Sequence, residues 1–109
     1  MNIHFLTEIV YGYILTLEEY LKLREDISSY ARYIDGYIYQ EANNFYLGIC
    51  LREFGPGEYV NLTNIIEPPE EESREILQKL LEMMRECGLN HEDPRWNTPQ
   101  IYACARVIY

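Results

Sequence analysis

A strand that gives way to a helix at a single residue is written into positions 8–19, and it constrains everything that follows. Residues 8–15, EIVYGYIL, are β-branched, aromatic and apolar on both alternating sides, the pattern of a central strand. Thr16-Leu17-Glu18-Glu19 then has the spacing of a capping box. In that motif the threonine hydroxyl accepts from the backbone N–H three residues on, and the glutamate carboxylate reaches back to the cap. A first helix is expected from there to Asp35-Gly36. Leu17, Tyr20, Leu21, Ile27, Tyr30, Ala31 and Ile34 fall near helical spacing, with Arg24 interrupting the stripe and Leu23 lying off it.

The same logic extends along the chain. YIYQ at 37–40 and FYLGICLRE at 45–53 are strand-like and flank Glu41-Ala42-Asn43-Asn44, whose asparagines tolerate the left-handed backbone of a tight turn. Gly55-Pro56-Gly57 stops the second of these strands, and residues 58–66 are left as a short extra strand or an ordered loop. Pro68-Pro69 followed by Glu70, Glu71 and Glu72 opens a second helix, because proline fits a first turn and carboxylates there face the positive end of the helix dipole. Ile76, Leu77, Leu80, Leu81, Met84 and Cys87 form its apolar stripe and Gly88 its stop. A loop with two prolines leads to a last strand, IYACARVIY.

The order is β-α-β-β-α-β, the split arrangement of the ferredoxin-like fold: a four-stranded antiparallel sheet with two helices on one face. The chain of 109 residues reads as one α+β domain over 1–109, and a last strand running to the final residue suggests that nothing is missing. No function travels with the topology.

Charge narrows the partners. Eighteen acidic residues against nine basic ones leave a formal charge of -9, spread over both halves of the chain. Phosphate backbones and anionic lipids are bound by cationic neutralisation, so neither direct nucleic-acid binding nor a membrane surface is expected. Cys50, Cys87 and Cys104 are isolated among apolar residues and read as reduced core thiols. The first residues lack a basic segment and a cleavage site, so the protein is expected in the cytoplasm, that of a host cell if it is viral.

Alternation divides the strand residues into two sets. Val10, Gly12, Ile14, Phe45, Leu47, Ile49, Leu51, Ala103, Ala105 and Val107 are aliphatic or small and suit the helix-facing core. Tyr11, Tyr13, Tyr46, Cys50, Arg52, Tyr102, Cys104 and Arg106 then share the other face, with Tyr37 and Tyr39 beside them. Tyrosine offers a large contact area with a polar tip, so this face is the first candidate for partner binding, through Tyr11, Tyr13, Tyr37, Tyr39, Tyr46, Tyr102 and Arg106. A second copy of the chain or a different protein is the expected occupant. The alternative is that residues around Tyr59 or the Trp96 loop cover it, or that the tyrosines merely fill a half-buried sheet. Base stacking fits less well, because FYLGICLRE lacks the basic start and paired phenylalanines of RNA-recognition strands.

A second candidate surface is acidic. Glu18, Glu19, Glu25 and Asp26 on the first helix, and Glu70, Glu71, Glu72, Glu75 and Glu82 on the second, could occupy the basic groove of a nucleic-acid-processing protein. Phage-encoded inhibitors of bacterial defence nucleases, anti-CRISPR proteins among them, have this general character. Ordinary solvated helix faces would carry the same residues. A third reading is a ligand sensor with its site between the sheet and the Trp96 loop. No catalytic residue, cofactor or metal is expected: His4 and His91 sit in no metal-ligating or nucleophile-base spacing, the cluster at His91-Glu92-Asp93 suits a solvated loop, and no phosphate-binding glycine loop occurs.

Overall fold

The computed structural model describes residues 4–55, 71–89 and 92–108; the expectations for 58–66, Pro68-Pro69, Glu70 and His91 lie outside them. Strand β1 (His4–Leu15) ends where the capping box begins. The Thr16 N–H donates to Glu19 Oε1 at 2.9 Å and the Glu19 N–H to Thr16 Oγ1 at 3.2 Å, which starts α1 (Leu17–Glu25).

The long first helix does not form. It stops at Asp26, and α2 (Ser29–Asp35) begins afresh. Asp26 Oδ1 accepts from the Ser28 N–H at 2.8 Å, and Ser28 Oγ accepts from the Ala31 N–H at 3.2 Å. Short polar side chains compete with the helical backbone in this way, so Asp26 and Ser28 turn one helix into two. The break also allows a different rotation. Leu17 and Leu21 are 55% and 47% exposed, whereas Leu23, the residue off the expected stripe, is 4% exposed. On the buried side Tyr20 stacks on Phe45 with centroids 4.0 Å apart.

Strands β2 (Ile38–Glu41) and β3 (Asn44–Phe54) form the expected hairpin. The left-handed residue in its turn is Ala42, with φ 51, rather than either asparagine. Gln40 Nε2 donates to the Ala42 carbonyl at 2.9 Å and holds the turn. Helix α3 (Glu71–Glu86) ends at Gly88, whose carbonyl accepts from Lys22 Nζ of α1 at 3.0 Å. A 3-10 turn, Pro94–Asn97, precedes β4 (Gln100–Ile108).

The sheet is antiparallel with the order β2-β3-β1-β4, so the first and third strands are central. One face packs under α1, α2 and α3. Tyr13, Leu15, Phe45 and Leu47 meet Leu23, Ile34, Leu80, Met84 and Trp96 there. The other face carries a smaller cluster of Val10, Tyr46 and Cys104, flanked by Tyr39 and Tyr102.

These positions correct the expected faces of β1. Tyr13 is paired with Leu47 and Tyr11 with Ile49, so both tyrosines share the helix-facing side with those aliphatics. Val10, Gly12 and Ile14 take the opposite side. Alternation assigns residues within one strand, but only register ties the phase of one strand to the next. A bulge at Ile9/Val10 adds a second displacement: Cys50 lies opposite Val10 and Arg52 opposite Ile9, so the two point to opposite faces.

Two glycines let β1 and β3 come together. Gly12 is paired with Gly48, and a Cβ on Gly12 would sit 2.0 Å from the Leu47 carbonyl oxygen, one on Gly48 2.3 Å from that of Tyr11. The sheet is also strongly coiled. Strands lie about 4.8 Å apart, so four laid flat would separate the edges by about 14 Å. Yet Glu41 Oε1 on one edge strand accepts from the Ala105 N–H on the other at 3.2 Å. No helix among the described residues is long and apolar enough to cross a membrane.

Candidate functional site

The coil removes the flat tyrosine surface. Tyr46 is buried on the concave face, tilted against Tyr102 with ring centroids 5.0 Å apart, and Val10 and Cys104 beneath them are fully buried. Burial pushes the Tyr46 hydroxyl above its ordinary pKa, and the Glu41 carboxylate adds to the rise. Tyr39 is raised for the same first reason, then by Cys50 and Glu8. Tyr13 packs edge-on to Trp96 at 5.2 Å and 77°, and burial raises it too, with Tyr11 contributing. Tyr37 lies at the start of the hairpin, its hydroxyl 3.5 Å from that of Tyr33, and that hydrogen bond leads the rise of its pKa. The residues expected on one partner-binding face are therefore divided: Tyr39, Tyr46 and Tyr102 lie on the concave side, while Tyr11, Tyr13 and Tyr37 pack with the helical core. The Arg106 side chain lies outside the described residues.

The concave side keeps a cavity of about 710 Å³ between the sheet edges. Glu8, Tyr39, Glu41 and Ala105 line it, and the Glu8 side chain is buried. Cys50 stands nearby and donates to the Arg52 carbonyl at 3.4 Å. Burial, then Glu8 and Glu53, pushes its thiol up, the opposite of what a thiolate nucleophile requires. Cys87 is raised by burial and by the carboxylate of Asp26, and none of the three cysteines is joined in a disulfide to another.

Around Trp96 the structure also forms a groove. One part, about 230 Å³, is lined by Tyr11, Tyr13, Leu81 and Trp96; the adjoining part, about 310 Å³, by Met84, Leu89 and Trp96. Arg95, the neighbour of Trp96 in the chain, is held by an arrangement that sequence alone did not reveal. Its guanidinium pairs with Glu19, donates to the Ile14 carbonyl at 3.1 Å, and lies 4.2 Å from the Trp96 ring centroid. Glu19 thus serves both the helix cap and this ion pair, and is structural rather than a free acidic contact.

The other acidic candidates separate similarly. Asp26 is held by Ser28, whose backbone hydrogen bond leads the lowering of its pKa. Glu18, Glu25, Glu71, Glu72, Glu75 and Glu82 are exposed, and the ion pairs that Arg95 makes, with Glu19 and Asp93, involve none of them.

One concentration of apolar surface was not anticipated. Seven large hydrophobic side chains are exposed among the described residues, and five of them, Leu17, Leu21, Ile27, Tyr30 and Tyr33, belong to α1, α2 and the break between them. Leu17 and Leu21 stand one turn apart on the same side of α1. Ile27, at 85% exposure, protrudes from the break. The imperfect stripe in the sequence carries the signal, but Leu17 and Leu21 lie on the solvent side rather than the expected buried one. No group of three or more His, Cys, Asp or Glu residues that could hold a metal gathers among the described residues. No protein-family model, curated protein or solved structure matches the chain.

Proposed function

We propose that this chain is a non-enzymatic protein-interaction domain of ferredoxin-like topology, which meets its partner through the outer surface of α1 and α2. The observation that carries this reading is the grouping of Leu17, Leu21, Ile27, Tyr30 and Tyr33 on one short stretch of the helical layer. A solvated surface helix ordinarily turns polar residues outward, and apolar and aromatic exposure concentrated on one stretch of helix has the composition of an interface centre. The β2-β3-β1-β4 order supports the ferredoxin-like assignment. Such a sheet supplies a rigid floor for the helices.

The overall charge of -9 favours a basic partner surface, steered by electrostatic attraction and held by apolar contact. A second reading is favoured by the exposed carboxylates Glu71, Glu72 and Glu75 at the start of α3: an inhibitor of the anti-defence type that covers a nucleic-acid-binding groove.

The test is comparative affinity capture with the wild-type chain, a Leu17→Ser/Leu21→Ser/Ile27→Ser variant and a Glu71→Lys/Glu72→Lys/Glu75→Lys variant. All six positions are exposed, so both variants should melt within a few degrees of wild type. Loss of a specific partner with the serine variant alone supports the apolar surface. Loss with the lysine variant alone supports the inhibitor. A partner kept equally by both removes the helical layer from consideration.

A further inference from the structure

Resting on that interaction-domain reading, we propose that the groove between α2 and α3 is a pocket for one arginine side chain of the partner. The groove measures about 280 Å³ and is lined by Tyr30, Lys79, Glu82, Met83 and Glu86. Pockets for whole small ligands begin at about 300 Å³, so this one suits a single long side chain rather than a cofactor.

Its chemistry follows from helical spacing. Positions 79, 82, 83 and 86 of α3 are three and four apart and share a side. Glu82 and Glu86 therefore stand one turn apart at the rim, both exposed, with half-buried Met83 between them as an apolar and polarisable floor. Tyr30 of α2 supplies an aromatic wall from the opposite side. The one cation of the groove is already engaged: Lys79 Nζ lies 5.1 Å from the Tyr33 ring centroid. Its charge is drawn to that ring, and the two carboxylates remain in excess over it.

Arginine fits this set better than lysine. A guanidinium is planar, lies flat on a tyrosine ring, and presents five donors in a fork, enough to engage both carboxylates while its stem covers Met83. An ammonium offers a point charge that holds its water more strongly. Phosphate-bearing ligands are repelled by Glu82 and Glu86. The pocket also adjoins the exposed Tyr30 and Tyr33, so an arginine docked there is flanked by the apolar contact proposed above, and such an anchor ringed by neighbouring surface is the common anatomy of an energetic centre in an interface.

The probe is N-acetyl-arginine amide, titrated into the full chain while the Tyr30 ring and Met83 methyl resonances are followed, with N-acetyl-lysine amide as comparison. The expected result is saturable shifts at both residues with arginine, at least about tenfold weaker binding of lysine, and loss of the arginine shifts in Glu82→Gln/Glu86→Gln but not in Glu71→Gln/Glu72→Gln. Shifts spread equally over all exposed carboxylates, equal response to lysine, or no response at Tyr30 and Met83 would each overturn the pocket. The two proposals fail separately. Leu17, Leu21 and Ile27 do not line the groove, so arginine binding with an unaffected partner in the serine variant sinks the surface and not the pocket, and the converse sinks the pocket alone.

Discussion

Among the described glycines, Gly12 and Gly48 have the least room for a side chain. A methyl group at Gly12 would overlap the Leu47 carbonyl oxygen at 2.0 Å and the Gly48 Cα at 2.6 Å, and both obstacles are backbone that no rotamer change can move. Gly12→Ala should therefore cost more than about 4 kcal/mol or prevent folding, read by urea denaturation or by loss of soluble protein. Ala42 is the opposite case. Its φ of 51 is a conformation that an L side chain adopts only at a cost, and the residue is exposed in the hairpin turn. Ala42→Gly should raise stability by about 0.5–1 kcal/mol in the same assay, and a decrease would mean that the turn is not left-handed at this residue.

At the scale of elements, the rotation of α1 is the point most open to measurement. Leu23→Ala removes a buried side chain packed between helix and sheet and should cost about 2–4 kcal/mol, whereas Leu21→Ala should stay within about 0.5 kcal/mol of wild type. Equal costs would place Leu21 in the core. This helix also shows where sequence reading succeeds and where it stops. Thr16 and Glu19 are close in the chain and their reciprocal hydrogen bonds are local, so the start of α1 was legible. The periodicity of α3 was legible because a long amphipathic helix repeats its signal through Leu77, Leu80 and Met84. The end of α1 was not, since Asp26 and Ser28 act through a competition whose outcome depends on what Leu23 and Ile34 find to pack against. The sheet faces failed for a related reason. Nothing local states that Tyr13 will lie opposite Leu47, and the bulge at Ile9/Val10 is a property of the pair of strands. The candidate surface was misplaced with them, because Leu17 and Leu21 were assigned to the core and the tyrosines to solvent.

For the molecule as a whole, alkaline pH is a condition that should weaken the fold. Tyr13, Tyr39, Tyr46 and Cys50 all have pKa values raised in the folded chain, with burial as the leading cause. A group raised in the folded state leaves stability intact below its unfolded value and withdraws it as pH climbs through the folded value. The ordinary values are 9.0 for the thiol and 10.0 for the phenols. Unfolding free energy should hold level from neutral pH to about 9 and then fall, and the ultraviolet absorbance of tyrosinate should appear for these rings at higher pH in the folded chain than in the unfolded one. A stability rising through that range would contradict the burial of the concave cluster.

The single carboxylate that joins Glu41 to Ala105 has a further consequence, for how the protein keeps its own copies apart. An amide that donates to Glu41 points away from β1, outward from an edge strand whose residues, isoleucine, tyrosine, alanine and valine among them, are those that template strand addition. Glu41 fills that position from within the chain. Glu41→Ala should speed hydrogen exchange at the Ala105 amide and, on agitation at high concentration, yield fibrils that the wild-type chain does not form. One glutamate's hydrogen bond then decides whether the outer edge of the last strand is open to pairing with a second copy.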